Sequence, residues 1–113
     1  MTLCSCAFRT EFAPSFAKYP IAERIYGTLE GDVTILCQPE AAPTAEKVWS
    51  KDNRILFDAN APSNENDRVH KLPNGNLRLT RLRDTDEGVY KCDATNRLGE
   101  ASSSGTLTVL GES

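Results

Sequence analysis

The chain has 113 residues, 39% of them hydrophobic and 26% charged, with a net charge of -3 and a sequence pI near 5.1. That is the size of one domain able to bury roughly two thirds of its unfolded surface, and the composition is wrong for a disordered tail. No apolar run approaches the roughly 20 residues of a spanning helix, so direct membrane insertion by this segment is not expected, and basic residues scattered among more numerous acidic ones argue against nucleic-acid binding.

Residues 1–11 read as a disordered lead-in, 12–110 as a single domain and 111–113 as a tail. Cys4 and Cys6 lie in the lead-in. With one histidine in the chain and no second cysteine pair at zinc spacing, they suit an unstructured end or a cloning- or signal-derived leader better than a metal site. Residues 3–8 are too short for the apolar core of a signal peptide, and Arg9 and Glu11 follow at once. Residues 12–20 then predict an edge strand interrupted by Pro14 and Pro20, which cannot donate to a ladder, and 21–26 resume it. Gly27 and Glu30-Gly31-Asp32 predict a turn. Across 33–37, Val33, Ile35 and Cys37 share one face, the period of a half-buried strand.

Residues 38–44, with Pro39 and Pro43, predict a loop at one pole. Residues 47–51 predict a strand carrying Trp49. Lys47 occupies an inward position on it, so either its aliphatic stem runs along the core edge or a bulge shifts the register. Asp52-Asn53-Arg54 reads as a polar turn, Ile55-Leu56-Phe57 as a short strand, and 58–66 as an exposed, mobile loop. A further strand begins at Arg68-Val69-His70. Residues 72–79 read as a hairpin in which Asn74-Gly75 tolerates positive φ while Leu77 and Leu79 face the core. Leu82 extends the apolar set, and at most one helical turn is expected over 83–87. The closing strands cover 88–95 and 100–110, with Leu107 and Val109 inward. Eight or nine short strands with almost no helix make the chain all-β.

Within Asp86-Glu87-Gly88-Val89-Tyr90-Lys91-Cys92 the even-numbered residues alternate, so Tyr90 and Cys92 point to the same, inward face. Together with Cys37 and Trp49 upstream, this pattern resembles the immunoglobulin-like β-sandwich of the I-set type, two antiparallel sheets with a split first strand. The resemblance implies a Cys37–Cys92 disulfide between the sheets, Trp49 packed on it, and a Tyr90 hydroxyl bonded to backbone a few residues upstream. Closing a loop of about 56 residues stabilises the fold by roughly 4 kcal/mol in the chain-entropy model. Such a bond persists in oxidising surroundings, which places the domain outside the cell. The alternative is an unrelated all-β domain with two free thiols.

Arg68 and Asp86 are the expected structural salt bridge, because a strand opening with the arginine begins beside the corner that carries the aspartate. His70 reads as a solvated residue rather than a ligand or proton shuttle. Asp84, Asp86 and Glu87 form a poor calcium cluster, since Asp86 is committed to Arg68 and Gly88 interrupts the run. Catalysis is not expected: one histidine, no motif around a serine or free thiol, and no glycine-rich phosphate loop supply neither nucleophile nor base. No cofactor and no metal are implied, and no Asn-x-Ser/Thr sequon occurs.

At Ile35-Leu36-Cys37-Gln38-Pro39-Glu40-Ala41-Ala42-Pro43 and Val48-Trp49-Ser50-Lys51 the sequence resembles the contactins, immunoglobulin-superfamily adhesion proteins. Ala13-Pro14-Ser15-Phe16, Asn74-Gly75-Asn76-Leu77 and the stretch from Gly99-Glu100-Ala101 to Gly105-Thr106-Leu107 extend the likeness over 12–110. The resemblance is greatest to their fifth immunoglobulin domain. Contactins carry six such domains and four fibronectin type III domains on a lipid anchor, and their first four domains fold into the binding horseshoe. The implied role is therefore a spacer or protein-binding module in cell-cell adhesion at neural or glial contacts, septate-type junctions among them. The implied partners are neighbouring domains of the same chain and cell-surface proteins. The absence of sequons near Asn53 and Ser102 and the long 58–66 loop depart from the family and suit a distant contactin or the neighbouring L1 or Dscam groups. The rival reading is an intracellular muscle-type immunoglobulin domain, an elastic scaffold whose thiols stay reduced.

Overall fold

The computed structural model describes residues 11–57 and 68–111. Ten short strands run through them: β1 (Phe12–Ser15), β2 (Arg24–Thr28), β3 (Val33–Ile35), β4 (Glu40–Ala42), β5 (Glu46–Lys51), β6 (Arg54–Ile55), β7 (Val69–Lys71), β8 (Leu77–Leu79), β9 (Gly88–Asn96) and β10 (Gly99–Leu110). One sheet has the order β2-β10-β9-β5-β6; facing it are β3-β8-β7 and the separate pair β1-β4. The β2–β10 pairing is parallel and every other is antiparallel. The first strand is thus split, β1 lying with one layer and β2 with the other. The single 3₁₀ turn described spans Asp84–Asp86.

Alternation decides what the layers bury. Leu77 and Leu79 on β8, Tyr90, Cys92 and Ala94 on β9, Leu107 and Val109 on β10 and Trp49 on β5 all point between the sheets and are buried. Cys37 and Cys92 are joined across the core with their Cα atoms 6.3 Å apart. Trp49 is paired in register with Cys92 on the neighbouring strand and is 1% exposed. An aromatic side chain of this size buries about 150–250 Å² and dominates the local packing.

Several boundaries differ from the sequence expectation. Gly27 lies inside β2 rather than in a turn, and a Cβ there would fall 2.4 Å from Leu82 Cδ1, so close packing explains this glycine. The turn is at 29–31, where Glu30 takes φ 68°. The proline-flanked stretch 38–44 is not all loop, since β4 forms there and pairs with β1. Cys37 consequently sits between two short strands rather than within one. β5 keeps unbroken register with β9 from Glu46 to Lys51, so no bulge accompanies Lys47. Its stem runs over Gly75 and its ammonium donates to Asn74 O at 3.0 Å. Of the Asn74-Gly75 pair only Gly75 has positive φ, at 97°. Asp52 and Asn53 both do, at 49° and 71°, which gives the β5–β6 hairpin the primed turn that suits strand twist. The 58–66 loop, Cys4 and Cys6 lie outside the described residues.

Candidate functional site

Two poles and one open groove hold the side chains that could carry function. At the first pole Arg68, just ahead of β7, grips Asp86 with a two-toothed pair: Nη1 donates to Oδ2 at 2.8 Å and Nη2 to Oδ1 at 3.0 Å. Nη1 also reaches the carbonyls of Thr80 and Arg81 at 3.3 and 3.2 Å. Asp86 Oδ2 accepts a further bond from Arg83 N at 2.8 Å, and the Tyr90 hydroxyl donates to Asp86 O at 2.6 Å. Burial pushes the Asp86 carboxyl up, but the Arg68 guanidinium and the Arg83 N–H outweigh it and hold the group below the usual carboxylate range. The hydrogen bonds to Asp86 likewise raise Arg68, which keeps its charge. Burial, then the Asp86 and Asp52 carboxylates, push the Tyr90 phenol up, so it remains a donor. Lys51 completes the pole, its Nζ donating to Thr85 O at 2.6 Å and lying 5.9 Å from the Tyr90 ring centre.

The second pole was not anticipated from the sequence. Trp49 Nε1 donates to Gly75 O at 2.8 Å, and Cys37 N donates to the buried Asn76 Oδ1 at 2.9 Å. Asn76 N in turn donates to Asn74 Oδ1 at 3.0 Å. The hairpin between β7 and β8 thus clasps both the tryptophan strand and the backbone of the disulfide cysteine. A burial pattern alone would flag Asn76, which precedes the inward Leu77, only if its amide were known to be needed by a distant N–H.

The other candidates separate. His70 stands exposed on β7, Asp84 is exposed, and Glu87 accepts a bond from Val109 N at 2.8 Å, away from Asp86. Among the described residues no three His, Cys, Asp or Glu side chains gather as metal ligands. Leu79 is fully buried against the disulfide core.

The groove lies between β2 and β3. Among the described residues each is the outermost strand of its sheet on that side, so two edges face one another across a space of about 600 Å³. Its floor includes the buried Ile21 and Ile35, while Tyr19, Tyr26 and Leu36 on its walls are 51%, 57% and 51% exposed. Exposed aromatic and aliphatic side chains gathered at one place are the ordinary mark of a contact surface.

Comparisons with known proteins agree with this geometry. A family model described as an immunoglobulin domain matches residues 14–96. The Contactin of Drosophila melanogaster is 36% identical over 99 residues, which is 88% of this chain and 7% of that protein. Among solved structures, Sidekick-1 immunoglobulin domains 1-4 align with a TM-score of 0.73 and 31% identity, over 86% of this chain and 24% of that one. A chain of the complex between titin M10 and an obscurin-like 1 immunoglobulin domain aligns at 0.71 and 29% identity, over 89% and 97%. The chain therefore spans less than a tenth of the contactin it matches, and on the family match, the paired sheets and the buried cystine it belongs to the immunoglobulin-domain family.

Proposed function

We propose that this chain is an extracellular immunoglobulin module of a contactin-like cell-adhesion protein, acting over residues 12–110 as a spacer or protein-binding domain between neighbouring domains. The observation that carries this reading is the contactin identity across most of the chain. The disulfide buried in the core supports the extracellular side of it, since such bonds persist in oxidising compartments. On this reading Cys37, Cys92, Trp49, Leu79 and Tyr90 build the frame, the Arg68–Asp86 pair pins one pole, and none of them does chemistry. The fifth position in the domain series, the neural or glial setting and the lipid anchor of the parent belong to the same proposal.

The test is made on the full parent protein. Intact cells expressing it are treated with a membrane-impermeant biotinylating reagent, and aggregation is compared with and without this domain. Surface labelling together with weakened aggregation on deletion is the expected result. Labelling only after permeabilisation would instead favour the muscle-type scaffold, which the likeness to the titin complex keeps as the second reading.

A further inference from the structure

The structure assigns the β2–β3 groove to an extended, acidic segment of a partner protein, which adds to the free edge of β3 as a further strand. Three observations converge on this occupant. First, among the described residues β3 pairs with β8 alone and β2 with β10 alone, so each offers one unpaired edge toward the groove. An unpaired edge presents backbone donors and acceptors in the repeat of a strand, and main-chain bonding there gives affinity while alternate side chains enter pockets. Second, the floor of Ile21, Ile25 and Ile35 with the exposed Tyr19, Tyr26 and Leu36 suits an apolar side chain at every second position of the guest. Third, the charges are of one sign. Among the described residues the charged groups lining the groove are Lys18 and Arg24, in a chain whose net charge is -3.

Those cations are available. Arg24 makes no ion pair among the described residues, and Lys18 reaches Glu40 at 3.7 Å with both side chains largely in solvent, a contact worth little. Glu23, just ahead of β2, does not line the groove but borders the neighbouring surface beside Thr106 and Thr108, which Arg24 and Tyr26 also line. A second copy of this chain is the less suitable guest, because pairing β3 with β3 would bring the Lys18 and Arg24 side chains of both copies together. β3 is only three residues long, so the added strand makes few backbone bonds and the charges set the discrimination.

This inference goes beyond the adhesion-module reading and does not depend on it. The probes are two ten-residue peptides, one alternating valine with aspartate and one alternating valine with lysine, titrated into the folded domain at low salt. The aspartate peptide is expected to shift the amide resonances of residues 24–26 and 34–36 and to slow hydrogen exchange on β3. Arg24→Glu and Lys18→Glu, both at exposed positions, should each weaken it on the order of fivefold, with thermal unfolding of the domain unchanged. Equal binding of the lysine peptide, shifts confined to other surfaces, no shift at millimolar peptide, or a β3-mediated dimer in sedimentation equilibrium would each overturn the assignment. None of those outcomes alters the surface-labelling result on the parent protein.

Discussion

The two poles of the sandwich solve one problem with opposite chemistry. Both must anchor a turn to the core beside Trp49, and both seat a lysine of β5 on a backbone carbonyl, Lys47 on Asn74 and Lys51 on Thr85. The corner pole adds a half-buried guanidinium bonded to a buried carboxylate. Apart from its lysine, the hairpin pole uses neutral groups, with the Asn76 amide and the Trp49 indole as its links. Charge-assisted bonds are strong but respond to protons, whereas neutral bonds are individually weaker and indifferent to pH. The domain is therefore expected to loosen at the corner first when acidified.

The element common to both poles gives the largest effect. Replacing both cysteines, Cys37→Ala with Cys92→Ala, should lower unfolding free energy by about 4 kcal/mol in urea titration and weaken exchange protection at both ends alike. Loss confined to one end would break the picture of a shared middle. Asp86→Asn leaves the Arg68 guanidinium without its partner charge and should destabilise by about 3 kcal/mol, with exchange rising around Arg68, Arg83 and Tyr90. Asn76→Ala strands the buried Cys37 N–H and is expected to remove about 2 kcal/mol at the hairpin end. Gly75→Ala should be mildest, about 1 kcal/mol, because φ is 97° there and the atoms a Cβ would first meet, Cδ at 2.4 Å and Nζ at 2.9 Å, belong to the flexible Lys47 side chain.

Acid sharpens the contrast. The folded Asp86 carboxyl lies below its unfolded range, so its contribution is complete above about pH 4 and is lost as pH falls through the folded value. Stability measured down that window should fall in the parent domain and in Asn76→Ala with the same slope. Asp86→Asn should show a shallower slope. Equal slopes in all three proteins would mean that the corner charge is not what acid removes.

These two poles also differ in how readable they were. The alternation of Asp86, Gly88, Tyr90 and Cys92 and the oppositely charged Arg68 leave a pattern of types and spacings, so both elements of that corner could be paired on paper. An amide that bonds to a backbone N–H 39 positions away leaves no such mark, and Asn76 read only as part of a turn. β4 was hidden for a related reason: prolines at 39 and 43 signal a loop, while the pairing of Glu40 and Ala42 with β1 is decided by a strand distant in sequence. Lys47 on an inward face looked like a conflict until the hairpin carbonyl supplied its polar partner. Gly27 looked like a turn for want of the knowledge that Leu82 packs against it. The groove is still further from the sequence, because an open edge is a property of which strands fail to meet.

The claim on which the rest depends is that Cys37 and Cys92 form a bond in the protein as its own cells make it. Parent protein isolated under acid quench, alkylated without reduction and mapped by mass spectrometry tests this directly. A linked peptide pair containing both cysteines, with no alkylated form of either, is the expected result. Recovery of Cys37 and Cys92 chiefly as alkylated thiols would contradict it and return the domain to a reducing compartment.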